Sequence, residues 1–226
     1  MKYQNTLEGK FIDRPNRFVA NVLIGDTIHT VHVKNTGRCK ELLLPGARVI
    51  LQDCMNENRK TRYDLIAVWK ENLGWVNIDS QAPNKVVKEW LEKDNDIFRC
   101  PDVIKPEYKF GNSRVDFYLE KDGKKILMEV KGCTLEIDGV GFFPDAPTQR
   151  GVKHLNELAG AIDEGYDCYI AFVIAMEGVD VVYPNVSMHR EFGEALERAK
   201  TAGVKVLYLC CAVAPDEIVI NKATVV

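Results

Sequence analysis

Short runs in which apolar and polar residues alternate fill the first 80 positions of the chain. Alternation with a period of two is typical of strands that bury one face. The predicted strands are residues 18–24, 27–33, 48–52, 65–69 and 75–78. Between Asn35 and Gly46 the pattern predicts a turn and about one and a half helical turns, which Pro45 ends. Five strands and a short helix predict a five-stranded OB-like β-barrel, a fold that often binds single-stranded nucleic acid or oligosaccharide.

The remainder of the chain combines helical and strand patterns. Pro83 and Asn84 mark the predicted boundary between domains 1–82 and 83–226, with Asn84 as the N-cap of the first helix. The predicted order after it is α-β-β-β-α-β-α-β, with helices over residues 85–93, from Thr148 to about 164 and from Ser187 to about 201, and buried strands over 168–176 and 204–213. Such an order predicts an α/β domain with a mixed sheet and helices on both faces.

The stretch from residue 114 to 131 carries the clearest hairpin pattern. Two alternating runs flank residues 122–123, an Asp-Gly pair that tolerates the positive φ angles of a type I′ turn. Pairing outward from that turn puts Asp116 opposite Glu129 and Arg114 opposite Lys131 on one face. The other face is apolar and consists of Val115, Phe117, Leu119, Ile126, Met128 and Val130.

Two carboxylates that face each other across a hairpin repel unless positive charge lies between them. Lys131 and Arg114 can supply that charge in a structural cluster, or a divalent metal can supply it between Asp116 and Glu129. Carboxylate oxygens suit Mg²⁺ or Mn²⁺, which leave their other positions to water and substrate phosphate. Lys131 would then orient an attacking water or stabilise a phosphorane-like transition state. The predicted catalytic residues are Asp116, Glu129 and Lys131.

A third carboxylate comes from the strand pattern over residues 104–110, where Glu107 lies on the polar face. If Gly111 and Asn112 form a two-residue turn, Glu107 pairs with Asp116. The metal site would then consist of Glu107, Asp116 and Glu129 in a row. A three-residue turn would break this alignment.

Charge is distributed unevenly although the whole chain carries only −3. Residues 1–82 hold 12 Lys and Arg against 9 Asp and Glu, whereas residues 83–226 hold 18 against 24. A mildly basic first part beside an acidic second part fits a phosphate-binding module joined to a carboxylate-bearing one.

Phosphate contacts are predicted at exposed polar and basic positions, although a turn or a solvated surface would use the same residues. The candidate DNA-binding residues are Arg17, Lys34, Asn35, Thr36, Arg38, Arg150 and His154. Arg150 and His154 lie one helical turn apart near a helix N-terminus, where phosphate binds well.

Cysteine usage and the first residues indicate a cytosolic protein. The seven cysteines include no Cys-x-x-Cys pair, and His29 and His32 would face opposite sides of a strand, which argues against zinc. No long apolar run is present, and the first six residues lead into a polar segment, so neither a membrane span nor a signal peptide is expected.

The motifs over residues 33–38, 111–117, 129–131 and 143–155 resemble those of the sugar fermentation stimulation protein A family. The resemblance implies an OB-like domain followed by a PD-(D/E)xK nuclease-like domain, with Asp116 as the metal-binding aspartate and Glu129-x-Lys131 as the acidic-x-lysine element. It also implies DNA binding without sequence preference and a regulatory part in maltose metabolism. Gln149 stands where relatives are expected to have glutamate, so a metal ligand or base that this position contributes in relatives would be missing in this chain.

Three functions follow as hypotheses. The first is a cytosolic protein that binds single- or double-stranded DNA without sequence preference and cleaves it with Mg²⁺ or Mn²⁺. The second is a non-cleaving DNA-binding or regulatory protein on a nuclease scaffold. The third, a sugar- or nucleotide-binding protein, rests only on the versatility of the barrel. No membrane partner is expected, and a homo-oligomer is compatible with the sequence.

Overall fold

The first part of the chain is a closed β-barrel of the OB type, as the alternation predicts. A computed structural model describes residues 1–35, 37–111 and 113–226. The strands of this part are β1 (Thr6–Asn16), β2 (Val19–Ile24), β3 (Thr27–Val33), β4 (Arg48–Asp53), β5 (Tyr63–Lys70) and β6 (Gly74–Asn77). They lie in the order β3-β2-β1-β4-β5-β6, and parallel pairing of Val33 in β3 with Leu65 in β5 closes the barrel.

Long strand β1, which was not among the predicted strands, makes the closure possible because it pairs with two neighbours. Its first half pairs with β4, from Thr6 opposite Gln52 to Lys10 opposite Arg48, and its second half pairs with β2. Apolar side chains of these strands point inward and are buried, as period-two alternation requires. They include Phe11, Ala20, Val22, Val31, Val33, Val49, Leu51 and Leu65.

The predicted short helix after Asn35 is wrong. The described residues between β3 and β4 form turns and bends but no helix, and the bond from Leu43 N–H to Cys39 O at 2.9 Å closes a single turn that does not continue. Cys39 has a φ of 45°, which a right-handed helix does not allow. In addition, the Arg14 guanidinium donates to the carbonyls of Gly37 and Arg38, both at 2.8 Å, so these carbonyls do not serve a helix.

The second part contains three helices around a mixed sheet. The helices are α1 (Ala82–Leu91), α2 (Gln149–Asp163) and α3 (Arg190–Ala202). The strands are β7 (Val103–Phe110), β8 (Ser113–Lys121), β9 (Lys124–Cys133), β10 (Leu135–Ile137), β11 (Val140–Phe143), β12 (Asp167–Ile174), β13 (Val182–Pro184), β14 (Lys205–Ala214) and β15 (Glu217–Val225). Six of them form the sheet β15-β14-β12-β9-β8-β7, in which β9, β12 and β14 are parallel.

Helices cover both faces of this sheet, as predicted. Helix α1 packs with Phe117 and Met128 on one face. Helices α2 and α3 pack with Tyr118 and Leu127 on the other face. A smaller sheet of β10, β11 and β13 lies beside this layer. This small sheet and the antiparallel edge strand β15 were not part of the predicted order.

Two helix starts differ from prediction, whereas the third agrees. Thr148 is the N-cap of α2, and its hydroxyl accepts from Gly151 N–H at 3.1 Å. Helix α1 begins at Ala82 with Gln81 as N-cap, so Asn84 lies inside the first turn and a boundary after residue 82 would fall within the helix. Helix α3 begins at Arg190 with His189 as N-cap, two residues after the predicted cap, Ser187.

The first residues of the chain lie on the second domain before entering the barrel. Lys2 forms a bridge with Glu217, and Tyr3 N–H donates to Asp216 O at 2.7 Å. The Tyr3 hydroxyl donates to Asp79 Oδ2 at 3.3 Å. In the part of the chain that the structure describes, no helix is long and apolar enough to cross a membrane.

Candidate active site

The site is built on the hairpin of β8 and β9. Its turn residues Asp122 and Gly123 have φ angles of 49° and 75°, the positive pair that the Asp-Gly sequence predicts. Lys121 pairs with Lys124 and Phe117 pairs with Met128, so the predicted register is confirmed over this part of the hairpin.

Beyond Phe117 and Met128 the two strands no longer form ladder pairs. Strand β9 continues alongside β12 as far as Cys133, whereas β8 remains paired only with β7. In place of a ladder bond, the Asp116 side chain accepts from Val130 N–H at 2.7 Å. Asp116 is therefore held against the backbone beside Glu129.

Asp116 receives a second hydrogen bond from helix α1. Asn84 Nδ2 donates to Asp116 Oδ1 at 2.7 Å, a function of Asn84 that the capping pattern did not suggest. Burial and the negative charge of Glu129 raise the pKa of Asp116 above its usual range, although the Val130 N–H, Lys131 and Asn84 favour the ionised form.

Glu129 is 2% exposed and has two oxygens in different environments. Oε1 accepts from Lys131 Nζ at 2.5 Å and also from His154 Nδ1. Oε2 is buried and has no partner among the described residues. Burial raises the pKa of Glu129, but the His154 hydrogen bond and the Lys131 charge outweigh it, so the pKa lies below its usual value.

Glu107 does not join this pair. Pro106 pairs with Phe117 and Tyr108 with Val115, so the register would place Glu107 opposite Asp116. However, Glu107 has a φ of 53°, forms no ladder pair with Asp116 and is exposed. Across residues 1–35, 37–111 and 113–226, no three His, Cys, Asp or Glu side chains are grouped to hold a metal. The two carboxylates are brought together, and the third is not.

Helix α2 supplies His154, which the structure places behind Glu129 rather than on the surface. The residue is 5% exposed, and Arg150 Nε donates to its Nε2 at 3.3 Å. Arg150 itself is exposed. Gln149 faces α3, where its Nε2 donates to Glu191 Oε2 at 2.9 Å.

The barrel residues predicted to bind DNA fall into two groups. Arg17 and Arg38 are exposed, whereas Lys34 is largely buried, with Nζ 2.8 Å from Asp79 Oδ2 and 3.4 Å from Asp64 Oδ2. Thr36 lies outside the described residues.

The loop that contains Asn35 is fixed by Arg14, which the site prediction omitted. The Arg14 guanidinium donates to four carbonyl groups of the barrel loops, those of Arg17, Asn35, Gly37 and Arg38. Asn35 Oδ1 accepts from Gly37 N–H at 2.7 Å.

An open basic cleft of about 320 Å³ lies beside this loop. It is lined by Arg14, Asn16, Arg17, Gly37, Arg38, Lys40 and Leu43. Three of its cations, those of Arg17, Arg38 and Lys40, are exposed. The cleft therefore presents positive charge on the barrel.

The same loop contacts the second domain at Asp145, just before α2. A Cβ at Gly37 would overlap Asp145 Oδ2, so any larger residue at this position would require the Asp145 side chain to shift. Burial raises the pKa of Asp145, although the Ala146 N–H and the Arg14 charge favour its ionised form. The loop that lines the basic cleft thus contacts the segment that leads into α2, the helix that carries His154.

Two family comparisons cover most of the chain. Residues 12–78 match the family described as the SfsA N-terminal OB domain. Residues 81–217 match the family described as the sugar fermentation stimulation protein RE domain.

Several relatives align with this chain over nearly its full length. A sugar fermentation stimulation protein homolog from Desulfitobacterium hafniense (strain DSM 10664 / DCB-2) is 53% identical over 218 residues, which cover 96% of this chain and 94% of the relative. The homolog from Clostridium beijerinckii is 54% identical and covers 96% of each chain. A solved structure, described as Pyrococcus furiosus SfsA in complex with Ca²⁺, has a TM-score of 0.82 and 27% identity, covering 99% of this chain and 96% of that one. The chain therefore belongs to the sugar fermentation stimulation protein family.

Proposed function

We propose that this chain binds DNA without sequence preference and hydrolyses its phosphodiester bonds with a divalent metal held by Asp116 and Glu129. The barrel would hold the DNA backbone, and the second domain would carry the chemistry. Mg²⁺ and Mn²⁺ are the expected metals because both ligands are carboxylate oxygens.

The observation that carries this proposal is the unpartnered Glu129 Oε2. A buried carboxylate oxygen without a hydrogen bond is costly to keep in a fold, and a cation beside it would remove that cost. Each oxygen of Asp116 accepts one hydrogen bond and has a lone pair left. The residues present therefore fit a divalent cation, since Mg²⁺ is usually held by one or two carboxylates together with substrate phosphate.

The solved relative from Pyrococcus furiosus, described as a complex with Ca²⁺, supports this fit. Ca²⁺ and Mg²⁺ are both hard cations that select oxygen ligands. That relative is thus described with a cation of the same class as the one proposed for this chain.

The chemistry divides between the cation and the protein side chains. A bound cation would offset negative charge on the scissile phosphate. Lys131 Nζ donates to Glu129 Oε1 and has further N–H groups that can orient a water or stabilise charge in the transition state. Asn84 and Val130 N–H hold Asp116 in place, so its carboxylate does not have to reorient.

DNA would reach this site along exposed cations of both domains. The basic cleft contributes Arg17, Arg38 and Lys40. On the second domain, Lys109 and Arg114 are exposed and directly opposite each other in the β7–β8 ladder. Like charges in that position repel unless an anion lies between them, and a DNA phosphate meets that requirement.

The test is a nicking and cleavage assay on single-stranded, duplex and branched DNA with Mn²⁺ or Mg²⁺. Lys131→Ala should bind DNA but cleave at least about 100-fold more slowly, as expected when a group that stabilises transition-state charge is lost. Lys124→Ala is the matched control because this lysine belongs to the same hairpin and its side chain is 72% exposed at the turn. Equal cleavage by the wild type and Lys131→Ala would contradict the assignment of the site.

One observation favours a second candidate, a DNA-binding protein that does not cleave. Glu107 does not join Asp116 and Glu129, so the site offers two carboxylates where the sequence predicts three. Salt-sensitive DNA binding with no cleavage under any metal would select this function. A regulatory role in sugar metabolism would then fit the name of the family better than DNA hydrolysis would.

A further inference from the structure

Three side chains form a hydrogen-bonded chain that ends at the predicted metal ligand Glu129. Arg150 Nε donates to His154 Nε2 at 3.3 Å, and His154 Nδ1 bonds to Glu129 Oε1. Arg150 and His154 lie one turn apart on α2, so a single helix holds both. His154 is buried, whereas Arg150 reaches the surface.

The two neighbours of His154 demand the same tautomer of its ring. Arginine has only donors, so the Nε2 that faces Arg150 must accept. An ionised carboxylate has only acceptors, so the Nδ1 that faces Glu129 must donate. The neutral ring with its proton on Nδ1 satisfies both contacts at once.

The two oxygens of the Glu129 carboxylate therefore differ in their hydrogen bonding. Oε1 takes hydrogen bonds from His154 and Lys131, and Oε2 takes none. Lys131 is a flexible side chain that the proposed reaction also needs, whereas His154 is fixed in the core by α2. Without His154, nothing rigid among the described residues would set the orientation of the carboxylate.

We propose that His154 is a positioning residue for the divalent cation: its Nδ1–H holds Oε1 of Glu129 and thereby presents Oε2 to the metal, while Arg150 fixes the ring. This inference rests on the proposed metal-dependent function and adds to it a residue that does not touch the cation. It also explains why His154 is buried although its position near a helix N-terminus predicts a phosphate contact.

The expected size of the effect follows from partners of metal ligands in other proteins. Loss of a side chain that orients a ligand weakens metal affinity by about 10- to 100-fold. The Mn²⁺ dissociation constant of His154→Ala should therefore rise by about that factor. His154→Asn should remain within a few-fold of the wild type, because its amide N–H occupies the position of Nδ1. His154→Gln, whose amide lies at the position of Nε2, should behave as His154→Ala does.

Mn²⁺ binding is measured by isothermal titration calorimetry on the full chain without DNA, and thermal unfolding checks that each variant is folded. His29→Asn is the matched control, since it makes the same chemical change at a half-buried position in the barrel. If the wild type binds no Mn²⁺, the proposed function fails. If it binds Mn²⁺ and His154→Ala binds equally tightly, or His154→Asn is as weak as His154→Ala, only this inference fails.

The tautomer provides a readout that does not require metal. The chain has four histidines, and ¹⁵N labelling of their rings with His154→Asn as the assignment reference identifies the His154 signals. At pH 8 the ring should show a protonated Nδ1 and an unprotonated Nε2. A proton on Nε2 instead would overturn the inference, because the ring could then not donate to Glu129.

Discussion

Lys34→Met tests whether the most buried barrel lysine serves the fold or the DNA. Lys34 Nζ lies 2.8 Å from Asp79 Oδ2 and 3.4 Å from Asp64 Oδ2. The Asp79 side chain is fully buried, and only 11% of the Lys34 side chain is exposed. Methionine keeps the apolar stem but removes the ammonium, so the Asp79 carboxylate loses its cation.

The loss of folding stability depends on which hydrogen-bond and ion-pair partners Asp64 and Asp79 retain in the variant. Asp64 retains Arg59 and His32, so the loss is concentrated at Asp79. Removing one partner of a buried ion pair costs about 3–5 kcal/mol, and the lower end applies because Tyr3 and the Gln81 N–H still donate to Asp79. A loss of about 3 kcal/mol in a chain of this length lowers Tm by roughly 6–12 °C.

Two measurements separate the functions. Urea unfolding followed by tryptophan fluorescence gives the free energy of unfolding, and fluorescence anisotropy at several salt concentrations gives the slope of log K against log[salt] for DNA. Lys34→Met should lose stability with an unchanged slope. Lys40 is an exposed lysine of the basic cleft, so Lys40→Met should keep the stability of the wild type but reduce the salt slope of DNA binding by about 1. Wild-type stability together with a reduced slope in Lys34→Met would refute the reasoning.

Three further changes probe the site and its connection to the barrel. Asp116→Asn should abolish Mn²⁺ binding in calorimetry yet leave the metal-free protein as stable or more stable at pH 7, because burial and a neighbouring charge raise the pKa of Asp116 and make its ionised form unfavourable in the fold. This difference in stability should shrink as the pH falls through the raised pKa and vanish below the usual pKa of an aspartate in an unfolded chain. Arg17→Gln with Arg38→Gln should reduce the salt slope of DNA binding by about 2 while Tm stays unchanged. Gly37→Ala should cost about 1 kcal/mol in urea unfolding because its Cβ displaces the half-buried Asp145 carboxylate, and equal stability would show that this side chain moves aside without loss.

Local patterns in the sequence predicted those parts of the structure that neighbouring residues determine. The Asp-Gly turn fixes the register of the hairpin, and Thr148 caps α2, because the deciding groups lie within a few positions of each other. The helix predicted after Asn35 failed for the opposite reason. The turn that leads into it is bonded at the Gly37 and Arg38 carbonyls by Arg14, more than twenty positions earlier in the chain.

Within the site, residue identity was predictable and side-chain partners were not. Asp116 and Glu129 come together as the hairpin pattern predicts, although through a bond to Val130 N–H rather than a ladder pair. His154 meets Glu129 across 25 positions, a contact that only the packing of α2 against the sheet can create. Glu107 adopts a left-handed conformation that alternation does not reveal.

The contact of Tyr3 with Asp216 bears on the order in which the chain can fold during synthesis. The barrel strands leave the ribosome early and bury their own apolar face. Tyr3 joins the far domain through Asp216 and reaches Asp79 at the barrel exit, so its final position is defined only after almost the entire chain has been made. The segment around Tyr3 is therefore expected to reach its native position only after the second domain has been made.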